Sequence, residues 1–288
     1  MPSPVKQPTT YDEQILKLRN RGCRINDETF CRKVLAQVNY YRLSAYFLPY
    51  RLPDGTYKPG TDFYAVYRTH EFDRKMHSLL FTAIEDVEIF LRSKFAYYHA
   101  HTYGSMGYMA PGNFNPRHDH AKFITRIERE KENNKKLSFV QHHITKYGGD
   151  FPIWVIMELF SFGMVSYFYS DLTVPDQKFL AKDLYDSIPK KIQSWLRCCT
   201  DLRNMCAHSD RLYYRQFTSI PITSPLIEEK FVRRLYGAIM ALKWLYPDRD
   251  KWNRELYPAL YNLIYNNAGY IRMDHIGFPP DWETGLQK

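Results

Sequence analysis

Apolar residues recur along this chain at three- and four-residue spacing, the period of helices with one buried face, and no βαβ alternation, internal repeat or low-complexity tract interrupts them. Residues 10–18 predict a short amphipathic helix, acidic in its first turn at Asp12 and Glu13 and followed by Gly22 as a C-cap. A second helix begins near Asp27 and carries Phe30, Val34, Leu35 and Val38. Residues 39–46 then lead to Pro49 and to the turn-rich stretch 53–60, where a hairpin-like excursion suits the Pro and Gly content.

The strongest pattern spans 63–98, a long helix with Phe72, Met76, Leu79, Leu80, Ala83, Val87 and Phe90 along one stripe. Opposite, by the roughly 100° step of an α-helix, lie Glu85, Glu88, Arg92 and His99. Such a lane is either a solvated face or, in a helix flanked by others, a partly buried structural one. Residues 104–117 read as an irregular loop and 119–136 as a charged surface helix. The nearly continuous apolar run 152–165 predicts one buried helix, with Gly163 weakening it. Ser187 is the expected N-cap of a helix that has Pro189 in its first turn and Ile192, Trp195, Leu196, Cys199, Leu202 and Cys206 on one face. Further helices are expected over 228–245 and 254–264.

Composition narrows the partner class. The 288 residues suffice for a substantial core, and a formal charge of +9, a pI near 9.1 and 24 tyrosines favour a polyanionic partner over a membrane. The N-terminal residues lack the apolar core of a signal peptide, and no apolar run is long enough to span a bilayer, so a cytoplasmic location is expected. Cys23, Cys31, Cys198, Cys199 and Cys206 show neither zinc spacing nor a disulfide framework. They read as reduced packing residues, with redox sensitivity of the neighbours Cys198 and Cys199 the sharper alternative.

The candidate chemistry lies in Arg203, Asn204 and His208. Imidazole exchanges protons near neutral pH, and a fixed guanidinium can hold a phosphate that gains charge as it is attacked, so the pair suits metal-free cleavage of an RNA phosphodiester. Spacing alone is weak: an arginine separated from a following histidine by four to six residues should arise roughly twice by chance at this composition. Arg92 and His99 resemble a second such pair. Arg203 leans toward the packed face of its helix, whereas His208 lies about 140° away and cannot share that face in a regular helix. Two remedies act together: the helix ends near Ala207 and lets His208 turn back, and a second copy of the chain completes the site across a two-fold interface. The opposing reading pairs Arg203 with Glu85 or Glu88 and leaves His208 to cap its helix.

The run from Leu202 to His208, continuing through Arg211, Leu212 and Tyr213 to Arg215, resembles the Abi family of bacterial abortive-infection proteins (AbiD and AbiF-like), a branch of the HEPN superfamily. Arg21 and Gly22, residues 39–46, Ile84 and Glu85 with Glu88 and Arg92, Trp154 and Val155 with residues 161–163, and the tail 277–282 match the same pattern in order. The resemblance implies an all-α fold: a HEPN-like helical bundle with additional N-terminal and C-terminal helices and an irregular insertion. Residues 1–62 would form an N-terminal helical region packed on the HEPN-like domain, 63–288.

It also implies a metal-independent endoribonuclease of phage defence, requiring no cofactor and working as a homodimer with a composite site. Arg203 would stabilise the phosphate, His208 act as general acid or base and Asn204 orient the site; Glu85, Glu88 and Arg92 would be structural or site-supporting. RNA rather than DNA is the expected partner, as substrate and as a regulatory noncoding RNA. Tyr41, Arg42, Arg211, Tyr213 and Arg215 are the residues expected to meet it through phosphate contacts and base stacking. The alternative is a non-catalytic RNA-binding module on the same fold.

Overall fold

In the computed structural model, which describes residues 5, 7–223 and 227–287, helix α1 (Tyr11–Asn20) opens on a capping box between Thr10 and Glu13. Residues 1–4 and 6, part of the N-terminal stretch that lacks a signal-like apolar core, lie outside the described residues. Gly22, at φ 87°, closes α1: its N–H bonds the Arg19 carbonyl at 2.8 Å and that of Cys23 bonds Leu18 at 3.0 Å, a Schellman turn. Asp27 caps α2 (Glu28–Gln37) by accepting from the Phe30 N–H at 2.8 Å. A short α3 (Tyr40–Ser44) runs into a 3₁₀ turn, Ala45–Tyr50. The excursion after it is a tight turn held by one antiparallel bridge, Arg51 to Tyr57.

Helix α4 (Phe63–Tyr103) is the axis of the molecule, 41 residues capped by Asp62 at one end and stopped at Gly104, φ 83°. It buries Phe72, Met76, Leu80, Ala83 and Val87 of the expected stripe, leaves Leu79 and Phe90 half-buried, and buries Leu91 besides. The irregular insertion contributes two 3₁₀ turns, Gly107–Met109 and Pro111–Asn113. Beyond it α5 (His120–Asn133) is a charged surface helix that buries only Ile127, and α6 (Ser138–Tyr147), which periodicity had not singled out, comes next.

The apolar run 152–165 is not one helix. It breaks into α7 (Ile153–Ile156), a 3₁₀ turn Met157–Leu159, and α8 (Phe162–Asp171), capped anew by Ser161. The extended backbone at Phe160 releases a carbonyl, and the Arg92 guanidinium of α4 takes it. Then come α9 (Val174–Tyr185), also unforeseen, and α10 (Pro189–Ala207). The N-cap of α10 is Ile188 rather than Ser187; Ser187 instead donates its N–H to Ala181 at 3.0 Å, closing α9.

Helix α10 packs between α4, α8 and α12 (Leu235–Leu245). The helix expected over 228–245 divides into α11 (Glu229–Val232) and α12, because the chain doubles back so closely that a Cβ on Gly237 would lie 2.1 Å from the Val232 carbonyl oxygen. The C-terminal part comprises α13 (Arg249–Lys251), a π-turn Trp252–Leu256, α14 (Tyr257–Tyr265), α15 (Met273–Ile276) and α16 (Trp282–Leu286). Buried residues from α1 to α16 form one apolar cluster, and β-structure among the described residues is confined to isolated bridges. The fold is all-α. Among the described residues no helix is long and apolar enough to cross a membrane. The five cysteines are buried free thiols, with burial pushing Cys23, Cys31, Cys198 and Cys206 up to about 12.

Candidate functional site at the end of α10

The site is built where the C-terminal end of α10 crosses the polar lane of α4. That lane starts well before Glu85. By the helical step, His70, Asp73, His77, Phe81, Glu88 and Arg92 all lie within about 100° of one another. Most of it is covered, which settles the choice between a solvated and a structural lane position by position: Asp73, His77 and Glu88 are buried and Arg92 is half-buried, while Glu85 is exposed.

Arg203 enters from α10 with its side chain 31% exposed. Its Nε lies 4.0 Å from Glu88 Oε2 and its guanidinium carbon 6.0 Å from the centre of the Phe81 ring. Glu88 Oε1 is already engaged by Arg92, whose same Nη2 also holds the Phe160 carbonyl. The buried Nε of Arg203 makes no hydrogen bond among the described residues. Burial lifts the Glu88 carboxyl above the usual carboxylate range, and the Arg92 and Arg203 cations pull it back. Of the two carboxylates that could have paired Arg203, therefore, Glu88 is the neighbour.

Helix α10 ends at Ala207 with His208 as its C-cap. The stop is a second Schellman turn: the Ser209 N–H bonds the Cys206 carbonyl at 3.1 Å and the Asp210 N–H bonds Met205 at 2.8 Å. Its left-handed position carries serine, at φ 54°, where α1 carries glycine. Three groups pin the chain beyond this turn, residues 209–213. Arg42 Nη1 donates to the Ser209 carbonyl at 2.6 Å, and His77 Nε2 donates to the Asp210 carbonyl at 2.6 Å, so that ring nitrogen bears a proton. Asp73, fully buried, accepts from the backbone N–H groups of Leu212 at 3.0 Å and Tyr213 at 2.9 Å and from the Tyr46 hydroxyl at 2.8 Å. Burial raises the Asp73 carboxyl against the pull of these bonds and of His77.

The ending at Ala207 does not place His208 beside Arg203 in one cavity. His208 and Asn204, both exposed, line a shallow hollow of about 200 Å³ with Asp201, Asp210, Arg215 and Thr218, while Arg203 points to the α4 side. Within one chain the structure thus groups Asn204, His208 and Arg215 on one side of α10, and Arg203, Glu88 and Arg92 on the other.

The residues expected to meet RNA also divide. Tyr41 is 86% exposed, and Arg42 and Arg215 reach solvent. Tyr213 does not: its ring is fully buried, and its hydroxyl accepts from the Arg272 N–H at 3.0 Å and pairs with His275 Nδ1 at 2.9 Å. A ring enclosed in this way is unavailable for base stacking, so Tyr213 is a core residue. Arg211 is half-buried and spends Nη1 on the Ala45 carbonyl at 2.7 Å, with burial lowering its pKa. Its role is to tie the segment after α10 to the 3₁₀ turn that follows α3. His99 is fully buried among Tyr103, Phe114 and Phe168, with neither ring nitrogen hydrogen-bonded among the described residues, which separates it from any chemistry with Arg92.

Asp73, His77 and Phe81 were not foreseen as parts of this site. Their signal was present as an aspartate at the edge of the apolar stripe, directly after Phe72 and three residues before Met76, a position that burial forbids to a carboxylate unless something hydrogen-bonds it.

The part of the chain that holds this crossing, from α2 to the segment after α10, is also the part with recognisable kin. No curated protein and no solved structure matches the chain. A family model described as "Abi-like protein" matches residues 33–214, more than half of the sequence and inclusive of Arg42, Asp73, Glu88, Arg203 and His208; the chain belongs to the Abi-like protein family.

Proposed function

We propose that this protein is a metal-independent endoribonuclease of the HEPN type acting in abortive infection. Membership of the Abi-like family supports the abortive-infection, phage-defence setting. The observation that carries the chemical reading is the state of Arg203: a guanidinium held against Glu88 and Phe81, partly open to solvent, whose buried Nε makes no hydrogen bond among the described residues. Underpaired yet immobilised, it is suited to hold a phosphate whose charge grows during attack.

In this reading His208, exposed at the helix end, removes the proton from a ribose 2′-hydroxyl or delivers one to the leaving 5′-oxygen, and Asn204 orients it. Because Arg203 and His208 face opposite sides of α10, one chain does not complete the site. A two-fold dimer that apposes the α10 ends supplies Arg203 and His208 from different copies. Tyr41, Arg42 and Arg215 are the exposed side chains left to contact RNA, and a noncoding RNA bound there would regulate the nuclease. The separation of Arg203 from His208 favours a second reading, a non-catalytic RNA-binding module in which both residues only hold the strand.

Cleavage of RNA in EDTA by the wild type and by His208→Ala separates the two. Wild-type cleavage lost in a folded, RNA-binding His208→Ala protein is the expected result; equal cleavage, or none by the wild type, ends the catalytic assignment. Light scattering should give a dimer, and an active monomer would exclude the composite site.

A further inference from the structure

A second cavity, of about 340 Å³, opens on the α4 side of the α10 end, lined by Arg42, Tyr46, His70, Arg74, His77, Ser78, Phe81, Cys206 and Ser209. None of Arg203, Asn204 and His208 lines it. Its walls carry two guanidiniums and two imidazoles and no carboxylate; Glu71 stands outside the lining, holding Arg74 through Nε at 3.3 Å and Nη2 at 3.1 Å. Burial lowers the pKa of His70, so the fixed positive charge of the walls is that of Arg42 and Arg74, and like charges in a partly enclosed space concentrate anions.

The donors are not used up. Arg42 spends Nη1 on the Ser209 carbonyl, and Arg74 keeps Nη1 while Glu71 takes its other two nitrogens. His70 is 7% exposed, and its buried Nδ1 makes no hydrogen bond among the described residues; the nearest carboxylate oxygen, of Glu71, stands 3.5 Å away. Phe81 and Cys206 supply an apolar wall beside these donors. The volume sits at the small end of the range for ligand pockets, roughly 300–1,000 Å³.

We propose that this cavity binds a single nucleotide unit, its phosphate between Arg42 and Arg74 and its base or ribose against Phe81. The unit is either a free mononucleotide or one nucleotide of a bound strand; the recognising chemistry is the same. Two contacts would connect the occupant to the candidate site. Ser209 directly follows His208, and Phe81 carries the Arg203 guanidinium on its face. The inference requires no cleavage and stands apart from the nuclease reading.

The test is calorimetric titration of the full chain at low salt with AMP and, separately, with a short 5′-phosphorylated 2′-O-methyl RNA, which has no free 2′-hydroxyl to attack. Arg74→Gln removes a charge whose only carboxylate partner among the described residues is on its own helix, and Ser78→Glu places a carboxylate in the wall from an exposed helical position. Each should weaken binding by about tenfold or more, the loss of one charge-assisted phosphate contact. AMP binding with that sensitivity identifies a free nucleotide; binding of the strand alone, equally sensitive, identifies a nucleotide of RNA. Absence of binding by both probes, or an affinity unchanged in either variant, overturns the proposal. Neither probe requires cleavage, so absent or insensitive binding bears on this proposal, whereas loss of cleavage in His208→Ala bears on the nuclease reading alone.

Discussion

Arg203 and Glu88 face each other at 4.0 Å across the seam between α10 and α4, yet Glu88 gives its closer contact to Arg92. One buried carboxylate thus serves two guanidiniums, and the nearer one also ties down the broken backbone at Phe160. The arrangement balances the structural and the functional reading of Arg203: the carboxylate keeps the charge tolerable without saturating it.

Glu88→Gln removes that charge and leaves two cations facing each other. The variant should lose about 2–3 kcal/mol of stability, less than a fully buried pair because Arg203 is partly solvated. Urea denaturation measures it. A variant as stable as the wild type would show that Glu88 does not hold the two arginines.

Asp73→Asn should cost about 2–4 kcal/mol, since the amide nitrogen would face at least one of the three donors that the carboxylate now accepts. The segment after α10 would loosen with it, and hydrogen exchange at Leu212 and Tyr213 is the sensitive readout. Protection unchanged at both amides would refute the anchoring role.

The two Schellman turns predict opposite outcomes for small substitutions. Gly22 sits at φ 87°, so Gly22→Ala should destabilise by about 1–2 kcal/mol. Ser209 occupies the same position at φ 54°, so Ser209→Gly should be neutral or stabilising by up to about 1 kcal/mol, the Arg42 bond to its carbonyl being kept. Thermal denaturation of both variants checks the pair, and a Ser209→Gly protein melting well below the wild type contradicts it.

Burial lowers His99 from 6.5 to about 4 and His275 likewise to about 4. Both are neutral in the fold, whereas the unfolded chain takes up protons below about pH 6.5. Stability is therefore fully present above that pH and falls as pH drops from about 6.5 to 4, by up to about 3 kcal/mol from His99 alone. His99→Phe, which also removes two nitrogens without a hydrogen bond among the described residues, should flatten this slope. Stability measured at steps from pH 7 to pH 4 decides it; an unaltered slope in the variant would place the titration elsewhere.

How much of this was legible varied with the kind of information each element needed. The stripe from Phe72 to Val87 announced α4, because one apolar face in 3.6-residue period has few other solutions. Gly22 marked the end of α1, because a left-handed backbone favours glycine. The run 152–165 misled for a tertiary reason: its apolar content fits a buried helix, but the break at Phe160 depends on Arg92, 68 positions away, being there to take a carbonyl. Ser187 misled because one residue can serve the end of one helix or the start of the next, and only the position of Ala181 decides which.

Local chemistry in the sequence determined that the chain is helical, which faces are apolar, and that Arg203 and His208 fall on different sides of their helix; each follows from steric and periodic rules acting over a few residues. Only the tertiary structure decided which carboxylate neighbours Arg203, that Tyr213 is core rather than surface, and that the polar lane of α4 lies beneath the end of α10. These are contacts between residues far apart in the chain, and their energies come from burial and pairing that exist only once the helices have packed.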